Sequence, residues 1–328
     1  MARLVDALVE APIAPSFTRV GYEVRSRLEH WQPLDSYRVD GRVVVLTGGT
    51  SGLGLAAAEQ LARCGATVVL VARDQQRGER VCRELADRTG NGSLSTVVAD
   101  LGDIRAVHAA ATELRRRFDT IDVLLHNAGA LTSERHETVD GLEATVASQV
   151  VGPFLLTCLL LDRLRSSASA RVVTMSSGGM YASPLEVERL QMAADYRGAE
   201  QYARAKRAQV TLNEMWAAHP GGRGISFHAV HPGWADTPGV AASLPLFRRV
   251  VGPLLRDPLQ GADTMVWLAL DDEGSASSGR FWLDRRPRPI HRLPTTRRSD
   301  TPERRRALWE WCAATAGLDP TTLVTRRR

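Results

Sequence analysis

Tyr202 and Lys206, in the run Tyr-Ala-Arg-Ala-Lys, carry a strong chemical signal. On a helix, residues four apart share one face, a turn from each other. A phenol ordinarily titrates near pH ~10, too high for efficient proton transfer at neutral pH. A neighbouring ammonium stabilises the phenolate and brings that value down. Tyr-x-x-x-Lys is common by chance, so its position gives it weight. It follows Ser176-Ser177, the hydroxyl pair ending the apolar run Val-Val-Thr-Met-Ser-Ser. A hydroxyl at a strand's carboxyl end can hydrogen-bond a carbonyl oxygen, although serines there are more often caps or turns. Ser177, Tyr202 and Lys206 therefore make a candidate proton-transfer set acting on a C–O group.

A second site begins earlier, at Gly41–Gly54, which reads GRVVVLTGGTSGLG. An apolar strand stops at Thr47, a Gly-rich turn follows, and an Ala-rich helix begins. Gly48, Gly52 and Gly54 let the backbone turn sharply and approach a ligand. The helix start offers free N–H groups and the positive end of its dipole to a phosphate. Glycines alone would suit an ordinary turn; the strand before and the helix after make this a nucleotide cradle. Arg73 ends the next strand, in Val-Ala-Arg-Asp. An acid at this strand end binds ribose hydroxyls, whereas a basic group accommodates a 2′-phosphate. Ala72 removes the acid and Arg73 supplies a fork-shaped cation, so NADP(H) is expected over NAD. The plainer alternative is a surface Arg73 paired with Asp74.

The elements that must position these groups alternate strand and helix. Apolar runs at 42–46, 66–72, 94–99, 121–126, 170–176, 224–230 and 280–283 read as strands. Helices are expected at 74–89, 103–117, 137–165, 200–218 and 258–270. Near-continuous apolar strands imply burial on both faces, hence a parallel sheet. The alternation predicts an α/β fold, a Rossmann-type doubly wound sheet of about seven strands with helices on both faces. Residues 1–40 form a helical N-terminal extension, with Leu4, Ala7, Leu8, Val20, Val24 and Leu28 at helical spacing. It packs on the main domain or a partner subunit, with contact to a membrane surface as the alternative. The domain proper spans 41–283. Within it, the long Pro-punctuated apolar stretch 233–257 reads as a substrate lid, with a packing helix on the sheet edge as the alternative. Residues 284–328 are an Arg-rich extension, read as a solvated tail closing with one short helix.

Composition bounds the rest. The 328 residues carry a net charge of +5 and a pI of about 9.4. The excess lies largely in the Arg-rich end and is not interleaved with aromatics, which argues against nucleic-acid binding. Cys64, Cys82, Cys158 and Cys312 form no Cys-x-x-Cys and no metal-ligand spacing, so no metal site is expected. They read as inert thiols in a reducing, cytoplasmic setting. No apolar run of about 18 residues suggests a membrane span. The amino terminus lacks the apolar core of a secretory signal.

Spaced as G-x-x-x-G-x-G behind Thr47, the Gly-rich turn resembles that of the short-chain dehydrogenase/reductase family. Asn127-Ala128-Gly129, the Tyr202/Lys206 pair and His231-Pro232-Gly233-Trp234-Ala235-Asp236-Thr237 are similar to further motifs of that family. The resemblance covers about residues 41–283 and extends, in one branch, to the preamble with Gly21-Tyr22-Glu23 and the tail with 281–287. It implies cofactor contacts from Gly48, Ser51, Gly52, Leu53, Gly54, Asp100, Leu101, Asn127, Ala128, Gly129, Tyr202, Lys206, Pro232, Gly233 and Thr237. Asp100 would meet the adenine ring and Thr237 the nicotinamide carboxamide. It also implies an oxidoreductase acting on a small, hydrophobic alcohol or carbonyl. Ser177 and Tyr202 stand farther apart than in short family members, similar to the retinol-dehydrogenase-like branch. His126 and His231 read as structural neighbours. The family's fourth catalytic residue is an Asn in the long helix; Gln149 stands there, so the proton relay through it is expected to be rearranged. A catalytically impaired NADP-binding scaffold or redox sensor is the alternative that Gln149 motivates. The resemblance further implies a homodimer or homotetramer through the helices at 137–165 and 200–218, unless the preamble or tail covers them.

Overall fold

The computed structural model describes residues 14–193, 195–243 and 245–319. Leu4, Ala7 and Leu8 lie outside them. Eight strands form one sheet: β1 (Val43–Thr47), β2 (Thr67–Ala72), β3 (Leu94–Val98), β4 (Val123–His126), β5 (Arg171–Met175), β6 (Ser226–Val230), β7 (Arg280–Leu283) and β8 (Arg286–Arg288). Their order is β3-β2-β1-β4-β5-β6-β7-β8. The first seven pair in parallel; β8, unforeseen from the sequence, pairs antiparallel with β7. The order reverses between β1 and β4, and ligands of open α/β sheets bind beyond the strand ends at such a switch.

Side chains of a strand alternate between faces. Val44 and Leu46 enter one core, with the helices Gly52–Arg63, Gln75–Thr89 and Pro258–Leu270. Val45 enters the other, with Ile104–Arg117, the helix from Ala144 to Arg165, and Gly198–Ala218. A smaller third cluster forms near the ends of β5–β7 and joins Phe17, Met180, Tyr181, Val210, Phe281 and Ile290.

The long helix starts at Ala144 rather than at 137. Glu143 terminates the preceding loop, its carboxylate accepting from the amides of Thr145 and Val146 at 3.0 and 2.9 Å. By length and composition this helix could cross a membrane, its most apolar window having mean hydropathy 1.8, which inspection for apolar runs missed. That window is 78% buried inside the protein, so packing accounts for its apolarity. Residues Ala147–Val151 form a π turn. Pro153 follows; lacking an N–H, it cannot serve the carbonyl of Gln149 four residues back.

The Arg-rich extension is not a solvated tail over its described length. Pro302–Thr315 is a helix with Leu308, Trp309, Cys312 and Ala313 buried. Trp309 lies 4.7 Å from Trp216 and 5.0 Å from Phe154 between ring centroids. Arg305 is held by Glu214 and Asp300, each at 2.6 Å. The extension thus folds onto the helices Ala144–Arg165 and Gly198–Ala218, where the family resemblance placed subunit contacts. At the other end, the helix Arg19–Leu28 is pinned by Arg25, which donates to Asp284 at 2.6 Å; both side chains are fully buried.

Candidate active site

The turn after β1 needs glycine for its backbone conformation and close packing. Gly48 and Gly52 have positive φ, +69° and +53°. A Cβ on Gly48 would stand 2.7 Å from the Cα of Ala128, and one on Gly54 would stand 2.1 Å from the carbonyl oxygen of Gly48. Asn127 ties the two strand ends together: its amide donates to the carbonyls of Thr47 and Gly48 at 3.3 and 3.1 Å. The Thr47 hydroxyl accepts from the backbone N–H groups of Asn127 and Ala128. Thr47 is therefore part of the frame, a role the glycine pattern does not announce. Ser51 precedes the helix Gly52–Arg63 as an exposed N-cap, and Leu53 packs under Gly261. Gly52 faces Thr237, whose Cβ would lie 3.5 Å from a Cβ there. The turn and the His231–Thr237 motif are thus neighbours in space.

Arg73 is exposed at the end of β2, and its side chain makes no hydrogen bond or ion pair among the described residues. Asp74 instead caps the helix Gln75–Thr89 by accepting from the Arg77 amide at 2.9 Å, so the surface-pair alternative for Arg73 fails. Arg77 was not foreseen; its guanidinium donates to the Thr50 carbonyl of the glycine turn at 3.3 Å. Its only sequence signal is a cation one helical turn past Arg73. Asp100 is exposed beyond β3, its carboxylate accepting from the Gly102 amide at 2.8 Å, with Leu101 buried beside it.

The Ser177, Tyr202 and Lys206 set converges past the end of β5. Ser177 caps a short 3-10 turn and accepts from the Gly179 amide. The Lys206 Nζ lies 5.2 Å from the centre of the Tyr202 ring and donates to the Met175 carbonyl at 2.9 Å. Burial brings Lys206 down to about 7. Burial pushes Tyr202 up to about 12, with the Ser177 hydroxyl pulling the other way. The expected lowering of Tyr202 by Lys206 is therefore not seen in the protein alone. Desolvation disfavours both charged forms, and an ammonium that sheds its proton near neutrality lends little charge to a phenolate.

Gln149 sits in the π turn. Its Nε2 donates to the Ala130 carbonyl at 2.7 Å, beside Gly129. Its backbone carbonyl, left without a donor by Pro153, accepts from Gln209 Nε2 at 2.6 Å. Gln209 escaped the sequence reading, although it follows Tyr202 and Lys206 at helical spacing and faces the same way. A cavity of about 30 Å³ lies here, lined by His126, Gln149, Thr174 and Gln209 among others. His126 Nδ1, Gln149 Oε1 and Gln209 Oε1 are buried without partners. Polar partners and that volume suit a bound water. His126 itself donates to or accepts from Thr157 at 2.8 Å and is held near 3 by burial.

Pro232 and Gly233 follow β6, Gly233 at φ +72°. His231 is buried and held near 3, chiefly by desolvation and then by Arg256, so it is neutral at physiological pH. Its Nδ1 accepts from the Gly233 amide at 3.3 Å, a structural role as expected. Beyond Thr237 the chain forms two short helices, Pro238–Ser243 and Pro245–Val251. Ser243 donates to the Leu131 carbonyl at 2.7 Å, two residues past Gly129, so this segment reaches across the strand ends. Leu246 and Val250 are 71% and 73% exposed on it.

Comparison with known proteins agrees with this geometry. The family model described as "short chain dehydrogenase" matches residues 42–245. Dehydrogenase/reductase SDR family member 12 of Bos taurus is 40% identical over 298 residues, covering 90% of this chain and 92% of that protein. Retinol dehydrogenase 12 of Bos taurus is 33% identical over 280 residues, covering 85% and 87%. Among solved structures, one from Beutenbergia cavernae described as a "putative NAD(P) dependent gluconate 5-dehydrogenase", with NADP bound at low occupancy, superposes with a TM-score of 0.63 at 26% identity, covering 77% of this chain and 97% of that one. The family model matches more than half of the chain and the alignment with family member 12 spans nine-tenths of it, so the chain belongs to the short-chain dehydrogenase/reductase family.

Proposed function

We propose that the chain is an NADP(H)-dependent oxidoreductase interconverting an alcohol and a carbonyl on an apolar, lipid-like substrate. The observation that carries this reading is the convergence of Ser177, Tyr202 and Lys206 beyond β5, at the same end of the parallel sheet as the glycine turn after β1. When bound, the nicotinamide supplies or takes the hydride, and the protein positions and polarises. Ser177 polarises the substrate oxygen. Tyr202 gives that oxygen its proton in reduction and takes it back in oxidation. Lys206, once it gains ribose hydroxyls as partners, holds its proton and steadies the phenolate. Gly48, Gly52 and Gly54 would receive the pyrophosphate, on a turn fixed by the close approach of Gly48 to Ala128 and of Gly54 to the Gly48 carbonyl. The unpaired guanidinium of Arg73 supports a 2′-phosphate and hence NADP(H). The retinol dehydrogenase relative and the exposed Leu246 and Val250 support an apolar substrate, presented at a lipid surface that the lid touches peripherally. The thiols of Cys64, Cys82, Cys158 and Cys312 are free and suit a reducing compartment such as the cytoplasm.

The test is NADPH consumption by the full chain across aldehydes, ketones and apolar alcohols, with Tyr202→Phe alongside. Wild type is expected to turn over part of the panel. Tyr202→Phe should lose at least about 100-fold in kcat, as loss of a positioned proton donor does, and keep its NADPH affinity. Equal turnover by Tyr202→Phe refutes the assignment. NADPH binding without turnover on a broad panel assigns the chain to a non-catalytic, cofactor-binding role.

A further inference from the structure

Phe17, in the N-terminal extension, lies inside the catalytic frame. Its ring meets that of His231 edge-on at 4.3 Å between centroids and that of Trp234 at 5.9 Å. Its Cε2 would stand 3.0 Å from a Cβ on Gly178, the residue directly after Ser177. The Phe17 carbonyl accepts from the Trp234 amide at 2.7 Å and from Arg256 Nε at 3.1 Å. Arg256 also donates to the carbonyls of Ser16, Thr18 and Pro232. The Asp284 carboxylate holds Arg256 and Arg25 together, all three fully buried. The Arg256 guanidinium backs Gly233, where a Cβ would fall 2.2 Å from its Nε.

One aromatic side chain therefore touches the two segments that bracket the reacting centre. Neither Gly178 nor Pro232–Gly233 belongs to one of the eight strands, though Ala235 bridges to Arg256. Gly178 lies in a 3-10 turn, and Ser177 accepts one backbone hydrogen bond there. Pro232 has no N–H to give, and Gly233 lies in the left-handed region. Segments of this kind take their position from side-chain packing, and a void behind them is filled by their own movement.

We infer that Phe17 is a positioning residue of the active site, the extension setting through this ring the placement of Ser177 and of the Pro232–Gly233 turn. The kinetic consequence rests on the oxidoreductase reading; the placement does not.

The test compares full-length Phe17→Ala and Phe17→Leu with wild type by hydrogen exchange and by kinetics. In Phe17→Ala, amide exchange should rise in peptides covering 176–180 and 231–235 and stay unchanged in β1–β4, with Phe17→Leu restoring protection. For any substrate turned over, kcat should drop about 10- to 100-fold, the effect of a displacement near 1 Å, while NADPH affinity and KM stay close to wild type. Should Phe17→Ala not fold, Phe17→Leu and Phe17→Met are compared in the same peptides and rates, graded by how well each fills the space. Unchanged exchange in the two peptides overturns the inference, as does a uniform rise across the sheet. A wild type without turnover sinks the oxidoreductase reading, and the exchange pattern then decides the positioning role alone.

Discussion

Arg73 stands at the end of β2 with its donors free, while Asp74 beside it is committed to a helix cap. A guanidinium in that state has no structural work to lose. Arg73→Asp is therefore expected to leave the melting temperature within the range of ordinary surface changes. It should weaken NADPH binding by about 10- to 100-fold, as loss of charge-assisted hydrogen bonds worth ~1.5–3 kcal/mol would, and move preference toward NADH. Fluorescence titration with both nucleotides reads this; an unchanged ratio of affinities would remove Arg73 from the cofactor site. Titration supplies a second prediction. His126 and His231 sit near 3 when folded and 6.5 as the reference, so below pH 6.5 the unfolded chain binds protons that the folded chain refuses. Lys206 does the same between its reference 10.5 and its folded value of about 7. Stability of the cofactor-free protein should fall as pH drops from 6.5 toward 3, and should climb from pH 7 toward 9, above which the buried thiols, held protonated by desolvation, work against the climb. Lys206→Met should flatten the upper climb and leave the acid limb in place, which thermal melts at stepped pH will show.

At the scale of elements, the segment Pro238–Val251 has two side-chain ties to its surroundings among the described residues. Ser243 ties it to Leu131, and Arg248 pairs with Asp236 at 2.7 and 3.0 Å on an exposed surface. Exposed pairs of this kind contribute little, so the segment can open at modest cost. The double change Leu246→Ser, Val250→Ser should raise KM for apolar substrates several-fold while kcat for small carbonyls and the melting temperature stay put. An unchanged KM for long-chain substrates would show that these side chains do not meet substrate. Strands and most helices were legible because each is an uninterrupted local pattern: β7 and the helix Pro258–Leu270 fall where the periodicity ended them. The start of the long helix was not, because apolar Val139 and Leu142 continued its pattern while the buried Glu143 cap, which Gln201 and Tyr196 help to hold, sets the true boundary. Ser177, Tyr202, Lys206 and the glycines were legible through spacing. Phe17, Arg256 and Gln209 were not, since their partners lie far along the chain, 239 residues away for the Arg256–Phe17 bond, and no spacing encodes that.

The whole molecule is closed by its extensions. The amino-terminal one is tied through Arg25 and Asp284 to the end of β7, and the carboxyl-terminal one lays Trp309 against Phe154, Trp216 and His219. The second contact covers apolar surface on the helices Ala144–Arg165 and Gly198–Ala218. A helix that buries Leu308, Trp309, Cys312 and Ala313 there covers the face through which the family resemblance implied pairing. Removal of residues 302–328 would bare Phe154 and Trp216 together, a contiguous aromatic patch of the kind that drives association. The full chain should therefore be unable to pair through this face, and the truncated chain should self-associate in a concentration-dependent way. Arg305→Glu should do so more weakly, because it turns two ion pairs with Glu214 and Asp300 into repulsions while leaving Trp309 in place. Sedimentation velocity over a concentration series separates these cases. A full chain that dimerises with Trp309 still buried must use a different surface, whereas a truncated chain that stays monomeric would show that the carboxyl-terminal helix covers no latent interface.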